Sequence, residues 1–208
     1  MENTNENKEM TAQESLSLIT ETLNNSRKDI TRRSAKHFLL WGVLLTLFSL
    51  LIYLLCKTTD KGAWNYLWFA LPALGFPLAR VIGHKDDTAN VQNDVSRIVG
   101  GIWGAFGIFA CSVAAFTVPF TELSSNIIKV LASGAGLTAE LVLLFGLAEC
   151  ITGVTLKNLT IKIAGFLTGV GGLALYYSIG LNEEQILLFT FAGLVLLVTG
   201  LLVKRQYK

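Results

Sequence analysis

Apolar residues fall along this chain in six long runs, residues 38–56, 63–83, 98–120, 127–156, 161–180 and 184–203, parted by short polar breaks. A helix needs about 20 mostly apolar residues to cross the hydrocarbon core of a bilayer. The pattern therefore predicts an all-α integral membrane bundle of six transmembrane helices. The fourth run is longer than a crossing needs, and Ser133-Gly-Ala-Gly136 reads as a kink or a late start within it.

Ahead of these runs the periodicity changes. Thr11-Ala-Gln-Glu14 has the form of a capping box, with a hydroxyl N-cap and a carboxylate three residues on. Ala12, Leu16, Ile19, Leu23 and Ile30 then recur at spacings of four and three, broken by the polar Ser26. This predicts an amphipathic helix over 11–36, after a disordered tail over 1–10 and before a transmembrane domain over 37–208. Three placements stay open: a helix on the inner membrane surface with its basic end near anionic lipid, a coiled coil or docking helix for a partner, and an undocked tail. The candidate partner or membrane face is Leu16, Ile19, Leu23 and Ile30.

Composition agrees with the periodicity. Only 15% of the 208 residues are charged and the mean hydropathy is +0.53, against about 25% charged in soluble domains. A net charge of +2 gives no footprint for direct nucleic-acid binding. The first 37 residues are too polar for a signal sequence, so the first run is expected to stay as an anchor. Basic residues set orientation. Arg27, Lys28, Arg32, Arg33, Lys36, Arg80, Lys85, Arg97, Lys157, Lys162, Lys204, Arg205 and Lys208 fall on one side of a six-span topology, and Lys57, Lys61 and Lys129 on the other. Both termini are expected in the cytoplasm, and the surrounding bilayer in an inner membrane. Trp64, Tyr66 and Trp68 suit an outer interfacial belt.

The candidate chemistry is sparse. Glu140 and Glu149 lie within the fourth run, where a carboxylate at a helix centre costs at least ~2.5 kcal/mol. At 100° per residue, nine residues place them about 180° apart, so they cannot share a proton or a metal on this helix alone. Glu149 shares a face with Gly146, Thr152 and Gly153, and reads either as a structural ion pair, with Arg80 at the inner end of the second run as the candidate partner, or as a hydrogen-bonded helix contact. Glu140 reads as a packed carboxylic acid, a proton carrier or a ligand site. Pro72, Gly75 and Pro77 interrupt the second run, either as a plain kink or as a broken helix framing a site. The glycines at 100, 101, 104, 107, 169, 171 and 172 suit close helix packing. His84-Lys-Asp-Asp87 is a weak metal signal in a solvated loop. Cys56, Cys111 and Cys150 are unpaired in spacing and read as free thiols. No zinc-protease, nucleophile-elbow or P-loop motif occurs, and no Asp lies within a run. The chain is not expected to be an enzyme or to hold a cofactor.

An internal echo joins Gly146-Leu-Ala-Glu-Cys-Ile-Thr-Gly-Val-Thr-Leu-Lys157 to Gly193-Leu-Val-Leu-Leu-Val-Thr-Gly-Leu-Leu-Val-Lys204, and a weaker one joins Phe38-Leu-Leu-Trp-Gly42 to Gly100-Gly-Ile-Trp-Gly104. Three related hairpins and chance agreement between apolar alphabets both stay open. Phe38-Leu-Leu-Trp-Gly42, with Phe145-Gly-Leu-Ala-Glu-Cys-Ile-Thr-Gly153 and Leu156-Lys157, resembles a group of small six-span inner-membrane proteins of unknown function from Gram-negative gut bacteria. The resemblance implies an association with winged-helix transcription regulators, and a small or hydroxyl residue where Glu149 stands. It carries no activity. The expected function is a non-enzymatic interaction or accessory protein of the inner membrane, able to oligomerise. The alternative is a small transporter or channel-like protein with a midplane site at Glu140.

Overall fold

The computed structural model describes residues 11–59, 61–84, 94–123, 134–179 and 183–207. Among them every regular element is helical. The helices are α1 (Ala12–Thr59), α2 (Ala70–His84), α3 (Asp94–Leu123), α4 (Gly134–Thr155), α5 (Leu159–Ile179) and α6 (Leu187–Gln206). A 3₁₀ segment, Gly62–Phe69, leads into α2, and a π-helical turn, Leu167–Gly171, interrupts α5. Five stretches are long and apolar enough to cross a membrane: Ala12–Thr59, Val95–Ser112, Leu137–Thr155, Leu159–Ile179 and Glu184–Gln206. The second run is the exception, since α2 has only 15 residues. The outside is apolar as well: Leu47, Leu54, Phe76, Ile108, Phe109 and Val154 are all more than half exposed. Such a surface would drive aggregation in water and suits contact with lipid.

The N-terminal segment and the first run form one helix of 48 residues, about 72 Å long at 1.5 Å per residue. The boundary expected between residues 36 and 37 carries no break. The reason is local: between Thr11 and Thr59 there is no proline and only one glycine, Gly42. The capping box forms as expected. Glu14 Oε2 accepts from the Thr11 N–H at 2.9 Å, and Thr11 Oγ1 accepts from the Glu14 N–H at 3.3 Å. The Thr11 N–H and hydroxyl hold the Glu14 carboxyl below its ordinary range.

Two helix pairs carry the bundle. In lipid there is little hydrophobic drive for one helix to leave the bilayer for another, so close van der Waals packing has to supply the association. Small residues make that packing here. Gly193 of α6 lies against Gly42 and Thr46 of α1, and Gly200 against Ala35 and Leu39, which makes α1 and α6 antiparallel neighbours. Gly146 of α4 lies against Gly165 and Gly169 of α5, and Gly153 against Ile161 and Lys162. The two halves of the sequence echo are thus two copies of one contact. In each, glycines seven residues apart, two turns on one face, admit a neighbouring backbone, and the threonine before the second glycine, Thr152 or Thr199, is buried. The first and last runs pair, and the fourth and fifth, so the tight contacts do not follow a plain succession of three hairpins.

The other glycine expectation is corrected for α3. A side chain at Gly100, Gly101, Gly104 or Gly107 would meet nothing within 4 Å. α3 packs instead through aromatic rings on another face. Trp103 lies 6.4 Å from Phe38 and 5.5 Å from Phe145, and Phe106 lies 5.4 Å from Phe145. In the second run, Pro72 falls in the first turn of α2, where a missing N–H costs little, and Pro77 lies inside the helix. Gly75 sits under the Trp41 ring, where a Cβ would collide with it. The Trp64 indole N–H donates to Thr59 Oγ1 at 2.7 Å, and Phe76 packs edge-on to Trp41. Residues 62–84 therefore descend along α1 from Thr59 past Trp41.

A tight turn joins α4 to α5. The Asn158 N–H donates to the Gly153 carbonyl at 2.9 Å and the Lys157 N–H to the Val154 carbonyl at 3.1 Å. These are the two bonds of a Schellman motif, which needs a left-handed residue, and Lys157 supplies it at φ 52°. Asn158 caps α5 by accepting from the Ile161 N–H, and its Nδ2 donates to Gln206 Oε1. Gln206 Nε2 donates onward to Thr160 Oγ1. The end of α6 is thereby tied to the turn, and Lys36, Lys157, Lys162, Lys204 and Arg205 collect at one end of the bundle. At the other end Lys57 meets Glu184 at 3.5 Å, with both side chains well exposed. Replacing Lys157 with glycine removes the left-handed strain and is expected to raise stability by about 1 kcal/mol. Denaturant unfolding in mixed micelles would read this, and a loss of stability would contradict the role given to the turn.

Candidate functional site

Glu149 is the most enclosed ionisable side chain of the described chain, at 0% exposure. Residue 146 is the middle of the crossing Leu137–Thr155, so Glu149 lies one turn from mid-span. Three features put it there. The α4 face bearing Gly146, Thr152 and Gly153 is the face that meets α5, as the spacing predicts. The glycines of both helices let the backbones approach. The π turn then brings Thr168 round to the carboxylate.

The site has an incomplete set of partners. Thr168 Oγ1 donates to Glu149 Oε2 at 3.2 Å, in fully buried surroundings. Glu149 Oε1 is buried and accepts no hydrogen bond. Thr152 Oγ1 turns back to the Ala148 carbonyl at 2.8 Å and gives the carboxylate nothing. Next along α4, the Cys150 thiol donates to the Lys162 carbonyl at 3.3 Å. An uncompensated buried ion costs several kcal/mol. A neutral acid with one unmet hydrogen bond costs about 1–3 kcal/mol. The second cost is the one a marginally stable bundle can carry.

The expected ion pair between Arg80 and Glu149 does not form. Arg80 is exposed on α2, which packs on α1 rather than on α4. Thr168 takes the partner's place. Its signal in the sequence is slight, a lone threonine opening Thr168-Gly-Val-Gly-Gly172. Glu140 lies in the second turn of α4, near one end of the crossing, with its side chain exposed. The two carboxylates do face apart, as their spacing requires, but Glu149 is the one nearer mid-span. His84-Lys-Asp-Asp87 and Ser133 lie outside the described side chains. Among the described residues no three His, Cys, Asp or Glu side chains gather as a metal site, and Cys56, Cys111 and Cys150 form no disulfide.

The second candidate surface is the part of α1 ahead of the bundle. Leu16, Ile19 and Leu23 are 67, 57 and 43% exposed. Ile30, the fourth member of the stripe, is half-buried against the cluster of Ala35, Phe38, Val95 and Val203. Burial on α1 then follows Thr31, Ala35, Phe38, Gly42, Leu45, Ser49, Ile52 and Cys56. At 100° per residue this bundle-facing stripe lies roughly a quarter turn from the stripe of Leu16, Ile19 and Leu23. Leu16, Ile19 and Leu23 therefore lie on a face turned away from the contact with α6, and the stripe meets the bundle only at Ile30. No family model, no curated protein and no solved structure matches the chain.

Proposed function

We propose that the protein is a non-enzymatic, six-span anchor of a bacterial inner membrane that presents a helical stem to a protein partner in the cytoplasm. The observation that carries this reading is the unbroken α1. Its residues 12–25 stand clear of the bundle, about 21 Å of helix, with a large apolar stripe open on one side. A helix that continues a membrane span cannot also lie flat on the membrane without a turn, which favours the docking helix over the surface helix. Six crossings and cytoplasmic termini are supported by the path of residues 62–84 along α1. The gathering of basic residues at the end shared by Lys36 and Lys204 supports them too. The transporter alternative rests on Glu140, and that side chain is exposed rather than enclosed.

A photoreactive residue placed at Leu16 or Leu23 in native membranes is expected to yield one discrete cross-linked species. The same residue at Gln13 or Ser17, off the stripe, is expected to yield little of it. Equal yields from both faces, or none from either, would remove the partner reading. Replacing Leu16, Ile19 and Leu23 together with serine should abolish the adduct and leave membrane insertion intact.

A further inference from the structure

We propose that Glu149, with Thr168 and the π turn that carries it, forms an occluded proton-binding site within the membrane, and that separation of α4 from α5 controls exchange of its proton. The inference is independent of the stem. A carboxyl with no access to solvent, one oxygen hydrogen-bonded to a hydroxyl and the other unpartnered, calls for a positive ligand. The space decides which one. Gly146 of α4 meets the backbone at Gly165 and Gly169, and Gly165 meets the backbone of Glu149 and Cys150, so the walls touch on both sides of the carboxyl. A hydrated metal ion does not fit between backbones in contact, whereas a proton adds no volume.

No cation on the surrounding helices does this work among the described residues. On α4 itself the neighbour is the Cys150 thiol, turned to the Lys162 carbonyl, while Glu140 is on the far face. On α5 the Lys162 side chain is exposed. Arg97 of α3 and Lys204 and Arg205 of α6 sit near helix ends with exposed side chains. The π turn supplies the means of exchange. Its wider hydrogen-bond ring leaves the local ladder open to rearrangement, and such turns recur at functional sites. When α4 and α5 part there, the acid passes its proton to water and stays as a carboxylate solvated by that water. Reprotonation from water restores the neutral acid and the closed pair.

Infrared spectra of the full chain in lipid vesicles test this. At neutral pH the wild type is expected to show the carbonyl band of a protonated carboxylic acid, absent from Glu149→Gln and retained in Glu140→Gln. Thr168→Val keeps the carboxyl and should move that band, because its hydrogen bond is gone. This covers the case in which Glu149→Gln folds poorly. A second readout uses a Cys56→Ala, Cys111→Ala background that retains Cys150. There, labelling of Cys150 by a thiol reagent should rise several-fold more between neutral and alkaline pH when Glu149 is present than when Glu149→Gln is added. A difference spectrum with only carboxylate bands would overturn the proposal. So would a protonated band that persists at alkaline pH with the same Cys150 labelling in both forms, since the acid would then be a fixed packing element.

Discussion

Gly146→Leu is expected to cost about 3 kcal/mol, the upper range for forcing volume into a packed contact. A Cβ at residue 146 would meet the backbone of Gly169 and Gly165, and a backbone cannot swing aside as a side chain does. The whole α4–α5 contact would have to open, and with it the enclosure of Glu149. Unfolding by a denaturing detergent in mixed micelles is the measurement. Gly104→Leu is the control: it adds the same volume to a span where a Cβ meets nothing, and should change stability by under about 0.5 kcal/mol. Gly193→Leu, at the matching place of the echo, should be destabilising in the same way but somewhat less, because the backbone of Thr46 and Gly42 closes on it a little less tightly. Equal tolerance of leucine at 104 and 146 would refute the packing described here.

The second large effect has the opposite sign. Glu149→Leu is expected to raise stability by about 2 kcal/mol, as when other buried ionisable groups give way to apolar residues of similar size. The echo supplies the precedent within this chain. Leu196 stands where Glu149 stands, three residues after the first glycine, and is 1% exposed. Thr168→Val in the wild type should cost about 1 kcal/mol, since it strips the carboxyl of its one hydrogen bond. With leucine at 149 the same change should be nearly neutral. The four proteins make a double-mutant cycle that isolates the Glu149–Thr168 interaction. A destabilised Glu149→Leu would mean that the carboxyl has further partners. A stabilised one would mark Glu149 as a residue kept at a cost to stability, the usual mark of a functional group.

The elements were legible where one face or one length decided them. The apolar runs, the capping box and the opposed directions of Glu140 and Glu149 follow from spacing along a single helix. The pairing of helices does not. In a span every side chain suits lipid, so hydropathy leaves open which glycine face meets a neighbour. The glycines of α3 and α4 look alike in sequence, yet of those described only Gly146 and Gly153 of α4 are covered. The continuity of α1 was legible in principle, because between Thr11 and Thr59 no proline breaks the ladder and only one glycine, Gly42, loosens it. The shift from polar to apolar residues near Phe38 imitates a boundary that the backbone does not have. Thr168 was hidden for another reason: its contact depends on an extra residue in one turn of α5, which leaves no trace in the periodicity of so apolar a segment.

The unbroken α1 also makes the molecule a lever. Within the bundle the helix is gripped from Ala35 to Ser49 by α6, whose far end is tied through Gln206 to the turn between α4 and α5. A rigid rod transmits rotation, so a tilt of roughly 10° within the bundle would carry the tip of a stem about 21 Å long through about 4 Å. A rearrangement small enough to leave every helix intact would thus swing the outer stripe by about the width of a side chain, with no hinge between the bilayer and the tip.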